Sequence, residues 1–135
     1  MASIRKQITL DASPDDVWDA LRDWGAVHER LVPGFLLDAK VDGEDRIVTF
    51  FNGAVVRELF VDLDEDSRRL VWAVRDDALG LEHYMASAQV AAEPDGETTF
   101  IWLADLLPHS AAATVEGLME QGLAAIRTTL ERARA

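Results

Sequence analysis

The chain has 135 residues, a length that suits one domain of roughly 100–150 residues built on a single core. Apolar residues make up 49% and charged residues 28%, which indicates neither a disordered chain nor a membrane-spanning one. Acidic residues outnumber basic ones by 25 to 13, and the net charge of -12 opposes binding to nucleic-acid phosphates and to anionic membrane surfaces.

Residues 3–10, Ser-Ile-Arg-Lys-Gln-Ile-Thr-Leu, alternate loosely between apolar and polar and predict a first strand. Ser13 is an N-cap, Pro14 suits the first helical position, and Asp16 completes a Ser-x-x-Asp variant of the capping box. The helix so begun runs to about Asp23, with Val17, Trp18, Leu21 and Trp24 toward the sheet and Asp15, Asp19 and Arg22 toward water. Gly25 breaks it, and a second short helix from about Ala26 to Leu31 stops before Pro33-Gly34. Six β-like runs follow, over 35–41, 46–51, 54–62, 69–75, 82–92 and 97–107. Asn52-Gly53 fits a two-residue type I′ hairpin turn, and Asp76 to Gly80 forms the one longer loop. After Pro108, residues 110–134 place Val115, Met119, Gly122, Ile126, Leu130 and Ala133 on one stripe of a helix about 36 Å long.

Arg5 and Lys6 are followed by no long apolar run, so the N-terminus reads as neither signal peptide nor spanning helix, and a cytoplasmic location without membrane insertion is expected. The chain has no cysteine, which removes disulfides, thiolate nucleophiles and cysteine metal ligands. His28, His83 and His109 show no metal-ligand spacing, and no phosphate-loop, dinucleotide or nucleophile-elbow motif is present. Neither a metal nor a cofactor is expected.

Four stretches carry a resemblance. They are Ala12-Ser-Pro-Asp-Asp-Val-Trp18 continued by Asp23-Trp24; Arg57-Glu58 with Asp64 and Leu70-Val-Trp72; Gly96-Glu-Thr98-Thr-Phe100-Ile-Trp102; and Gly122-Leu-x-x-Ile126. With the element order, they make the chain resemble the START and Bet v 1-like (SRPBCC) superfamily, within it the polyketide cyclase and dehydrase-like branch. The resemblance implies one α+β ligand-binding domain over residues 1–135, in the helix-grip fold. In that fold a seven-stranded curved antiparallel sheet wraps around a long C-terminal helix, and two short helices follow strand 1. It further implies a cavity between sheet and helix for lipids, polyketides, sterols, hormones or aromatic metabolites. Two departures stand out. Leu31-Val-Pro33 lacks a tryptophan that many relatives carry there. A tight turn at Asn52-Gly53 differs from the mobile gate of plant abscisic-acid receptors and argues against a hormone receptor.

Under this resemblance, strand alternation puts Val56, Glu58 and Phe60, then Leu70, Trp72 and Val74, then Tyr84, Ala86, Ala88 and Val90 on the cavity side. Thr98, Phe100, Trp102, Ala104 and Leu106 join them from the last strand, while Ile101 and Leu103 face outward. The expected apolar wall is Trp24, Phe51, Val56, Trp72, Tyr84, Trp102, Met119 and Leu123, whereas Trp18 suits the core. Glu58 is the expected polar anchor. A carboxylate there requires an ion-pair partner, such as Arg57 or Arg75, or a ligand group to hold, or a proton to move. His28, in the second short helix, is either a proton shuttle at the mouth or an exposed helix histidine. His83 is expected outward and His109 in the turn before the last helix.

Three functions fit these residues. The first is binding of a small hydrophobic or aromatic, lipid- or polyketide-like, metabolite. The second is a polyketide cyclase or dehydratase reaction in which Glu58 or His28 transfers protons. The third is a stress-related accessory role through a protein partner, as in relatives of the activators of a chaperone ATPase. For that role, or for a homodimer, outward Ile101 and Leu103 would supply the contact.

Overall fold

The computed structural model describes residues 2–74 and 80–134, with side chains up to residue 131. The predicted contribution of Arg75, the 76–79 loop and the side chain of Ala133 therefore lie outside the described residues. Strand β1 (Ala2–Leu10) leads into α1 (Pro14–Arg22), a 3-10 turn (Trp24–Ala26) and α2 (Val27–Arg30). The chain then forms β2 (Leu36–Asp42), β3 (Asp45–Phe50), β4 (Val55–Asp64), β5 (Arg69–Val74), β6 (His83–Ala92) and β7 (Thr98–Leu107). A second 3-10 turn (His109–Ala111) precedes the long helix α3 (Ala112–Arg134).

The seven strands form one antiparallel sheet in the order β1-β7-β6-β5-β4-β3-β2. After β1 the chain crosses to the far edge through α1 and α2, then meanders back until β7 pairs with β1, from Ala2 opposite Leu106 to Leu10 opposite Thr98. Extra residues interrupt the ladder between Leu36 and Asp38 and between Phe60 and Asp62. Such bulges bend and twist a strand, and here they curl the sheet around α3 while leaving Leu37 and Val61 exposed.

Turn chemistry explains the hairpins and corrects one expectation. The two-residue loop is Gly43-Glu44, between paired Asp42 and Asp45, with Gly43 at φ +64° as a type II′ turn requires. The loop at Asn52-Gly53 has three residues, not two. Gly53 N–H donates to the Phe50 carbonyl, Phe50 N–H donates to the Ala54 carbonyl, and Gly53 alone takes a positive φ, +88°. This is the type I turn with a glycine bulge rather than type I′. Asn52 instead caps the loop by accepting from Ala54 N–H at 3.1 Å.

Helix α1 starts as its sequence dictates, with Ser13 Oγ accepting from Asp16 N–H at 3.2 Å and Pro14 in the first turn. Trp18 is buried, and its indole N–H donates to Glu65 Oε2 at 2.7 Å, tying α1 to the β4–β5 turn. Arg30 bonds Asp19 and Asp23 and so holds α2 against α1. On α3, Val115, Met119, Ile126 and Leu130 are buried on the predicted stripe, joined by Leu123. Burying each such side chain contributes about 1.5–3 kcal/mol. Gly122 sits where a Cβ would lie 2.8 Å from the Trp102 ring, so the absence of a side chain is what lets that indole lie against the helix. Among the described residues, no helix is long and apolar enough to cross a membrane.

Candidate functional site

The three-residue loop after β3 sets the register of the β3–β4 hairpin, and that register puts Arg46 directly opposite Glu58. Alternation turns Arg46, Val48 and Phe50 of β3 inward together with Val56 and Glu58 of β4. Two oppositely charged side chains thus enter the core side by side. Arg46 Nε donates to Glu58 Oε1 at 2.7 Å, with the side chains only 4% and 10% exposed. Arg46 Nη1 donates to the Trp24 carbonyl at 3.1 Å, and the guanidinium lies over the Trp24 ring, 3.8 Å from its centroid. A buried charge is tolerated when it is paired and hydrogen-bonded. Arg46 is paired through Nε and bonds a carbonyl through Nη1, and in doing so it ties β3, β4 and the 3-10 turn together.

The pair lines a cavity of about 80 Å³ between the sheet and α3. Val56, Trp72, Tyr84, Trp102 and Met119 line it with Glu58, and the Trp72 and Trp102 rings meet at 6.3 Å between centroids. Among the described residues Arg46 and Glu58 are the charged members of the wall, which is otherwise apolar except for the Tyr84 phenol and the Trp102 indole N–H. Tyr84 is buried, and its phenol is pushed well above the ordinary value near 10, first by burial and then by the Glu58 charge. The Trp102 indole N–H is close enough to oppose that rise slightly. Even so, its Nε1 completes no hydrogen bond of normal geometry to protein among the described residues. Tyr84 is therefore a hydrogen-bond donor, not a base, across the physiological range.

Four of the expected site residues lie elsewhere. Phe51 belongs to the hairpin loop, is 43% exposed and packs beside Phe35 rather than in the cavity. Leu123 is buried but turned toward Ile8 of β1, because one residue past Gly122 is about 100° around the helix from the cavity side. Trp24 stands behind Arg46, edge-on to Phe60 at 5.5 Å, as a platform for the guanidinium rather than a lining residue. His28 is not a cavity group, and with a side chain 16% exposed it is not an exposed helix histidine either. Its Nε2 lies 3.3 Å from Glu29 and its Nδ1 is buried without a protein partner among the described residues. The partner of Glu58 is also not Arg57, which points away and pairs with Asp42 and Asp45. Arg46 is the residue that sequence reasoning missed, although its alternation with Val48 and Phe50 was a signal for it.

Comparison with known proteins follows the same architecture. The sequence family of polyketide cyclases, dehydrases and lipid transport proteins matches residues 1–131. No curated protein matches the chain. XoxI from Bacillus cereus is similar in structure, with a TM-score of 0.89 at 15% identity over 100% of this chain and 99% of that one. A Thermobifida fusca protein superposes at 0.78 with 25% identity, over 99% and 93% of the two chains. Norcoclaurine synthase from Thalictrum flavum superposes at 0.74 with 22% identity, over 98% and 85%. These likenesses concern the fold. The sequence match is what carries family membership, and since it runs from the first strand into the last turns of α3, the chain belongs to the polyketide cyclase/dehydrase and lipid transport family.

Proposed function

We propose that the protein binds a small hydrophobic or aromatic metabolite in this cavity, with Val56, Trp72, Trp102 and Met119 as apolar wall and Glu58 as polar anchor. The observation that carries the reading is the buried Arg46–Glu58 pair set into an otherwise apolar hollow. Apolar residues of equal volume often stabilise a core as well as or better than a buried ion pair, so the pair supports a role beyond packing. Norcoclaurine synthase, which shares the fold, has been seen in complex with dopamine and hydroxybenzaldehyde, both small aromatics. The cavity of about 80 Å³ is smaller than the roughly 150 Å³ that admits benzene elsewhere. Entry of a ring therefore requires the walls to move apart.

Native mass spectrometry of the protein purified from its producing cells, followed by denaturing extraction, tests this reading. A retained apolar species should be present in the wild type and absent from Ala88→Leu, which fills the cavity from β6. A protein that carries nothing, and whose tryptophan emission is unmoved by neutral aromatic compounds, would overturn it. A second reading is proton transfer by Glu58 in a cyclase or dehydratase reaction. It is favoured by the place of Glu58, a carboxylate that lines the cavity with Oε1 held by Arg46. Under it, Glu58→Gln abolishes turnover and spares binding.

A further inference from the structure

Resting on the cavity-binding reading, the geometry points to the class of ligand. We infer that the cavity selects an uncharged, hydroxyl-bearing ring compound whose oxygen accepts from Trp102 Nε1–H and Tyr84 O–H while its proton goes to Glu58. Three observations converge on this. The charges of Arg46 and Glu58 cancel, and among the described residues no other carboxylate or cation lines the cavity, so a carboxylate or ammonium ligand would bring an uncompensated charge into a largely apolar hollow. Trp102 Nε1 is buried with no protein partner among the described residues, although the ring it belongs to lines the cavity. Tyr84 is buried in the same wall, close enough to Glu58 and Trp102 for both to act on its phenol, and it stays protonated.

Two donors and one acceptor thus line a single space, the acceptor being the Glu58 carboxylate, whose Oε1 is held by Arg46. A hydroxyl oxygen has two lone pairs and one proton, which matches that set. A ketone would satisfy the donors and leave Glu58 unanswered. A hydrocarbon would give the two donors no acceptor and leave Glu58 to Arg46 alone, and buried polar groups left without a ligand partner are what make polar sites reject analogues lacking the polar group. The tilted Trp72–Trp102 pair supplies flat apolar surface for the ring that carries the hydroxyl.

The test compares p-cresol, toluene and p-toluate, which share a ring and a methyl group and differ in the polar substituent. Binding is followed by calorimetry and by the indole N–H resonances of the four tryptophans, with that of Trp102 assigned by its loss in Trp102→Phe. The expected result is p-cresol binding about tenfold or more tighter than toluene, no binding of p-toluate, and a downfield shift of the Trp102 indole proton with p-cresol alone. Tyr84→Phe and Trp102→Phe should each reduce the preference for p-cresol while toluene binding persists. Equal binding of p-cresol and toluene would overturn the hydroxyl inference and leave the cavity-binding reading intact. Preference for p-toluate would overturn it in favour of Arg46 as an anion anchor. If none of the three binds, both readings fall.

Discussion

At the scale of single residues, three close contacts hold Arg46, to Glu58, to the Trp24 carbonyl and to the face of the Trp24 ring. Replacing it with methionine removes all three and leaves the Glu58 carboxylate buried without its partner. Arg46→Met is therefore expected to cost about 3–5 kcal/mol in urea unfolding, whereas joint Arg46→Met and Glu58→Leu substitution should recover most or all of it. If the double variant were as unstable as the single one, the pair would owe its place to packing that methionine and leucine cannot reproduce. The inward placing of Glu58 was legible because the resemblance puts its position on the cavity side, in a strand where it alternates with Val56 and Phe60. Arg46 was missed, although it alternates with Val48 and Phe50, because its pairing with Glu58 depends on a loop that the sequence reading made one residue too short. A two-residue turn at Asn52-Gly53 pairs Ile47 with Glu58 and turns Phe51 toward the cavity. The observed three-residue loop shifts the register by one, sends Phe51 outside and brings Arg46 to Glu58. One extra loop residue thus accounts both for the site residue that was missed and for the wall residue that was misplaced.

At the scale of elements, α3 carries two glycines with opposite roles. A Cβ on Gly122 would meet the Trp102 ring at 2.8 Å and the Phe35 ring at 3.4 Å, so Gly122→Ala must push an indole that is already packed against Trp72. Overpacking is expected to outweigh the gain in helix propensity, for a net loss of about 1–2 kcal/mol. A Cβ on Gly117 meets nothing within 4 Å, and Gly117→Ala should stabilise by about 0.5–1 kcal/mol. Thermal unfolding of the two variants gives opposite signs if Trp102 is seated on Gly122, and the same sign if it is not. The stripe of α3 was readable from its period because burial follows helical geometry, and Val115, Met119, Ile126 and Leu130 all lie on it. Which edge of the stripe faces the cavity was not readable. It depends on the rotation of the helix over the sheet, and that rotation assigns Leu118 to the cavity and Leu123 to β1.

At the scale of the whole molecule, the order of strands and helices was legible because each rests on local signals: the Ser13-Pro14 helix start, the glycine turns and the alternation within strands. The cavity's size was not, since it is the residue of packing among side chains from every layer. Stability against pH integrates the same contacts. The acid limb comes from exposed carboxylates held below their ordinary range, Asp19 by Arg30, Asp64 by the Ser67 hydroxyl and Glu65 by the Trp18 indole N–H. Their contribution is present above the unfolded-chain values and is lost as pH falls through the folded ones. The alkaline limb reports on the cavity. Burial and the neighbouring Glu58 raise the Tyr84 phenol, so as pH climbs past about 10 the unfolded chain releases this proton before the folded protein does. The folded state binds the extra proton, and its stability is therefore complete below about pH 10 and declines above it. Tyr84→Phe has no proton to lose at this position, so the urea midpoints of wild type and variant should run parallel up to about pH 9 and then converge or cross toward about pH 11, where only the wild type carries this term. Parallel curves over the whole range would mean that the phenol titrates alike in both states, and would remove Tyr84 from the buried wall beside Glu58.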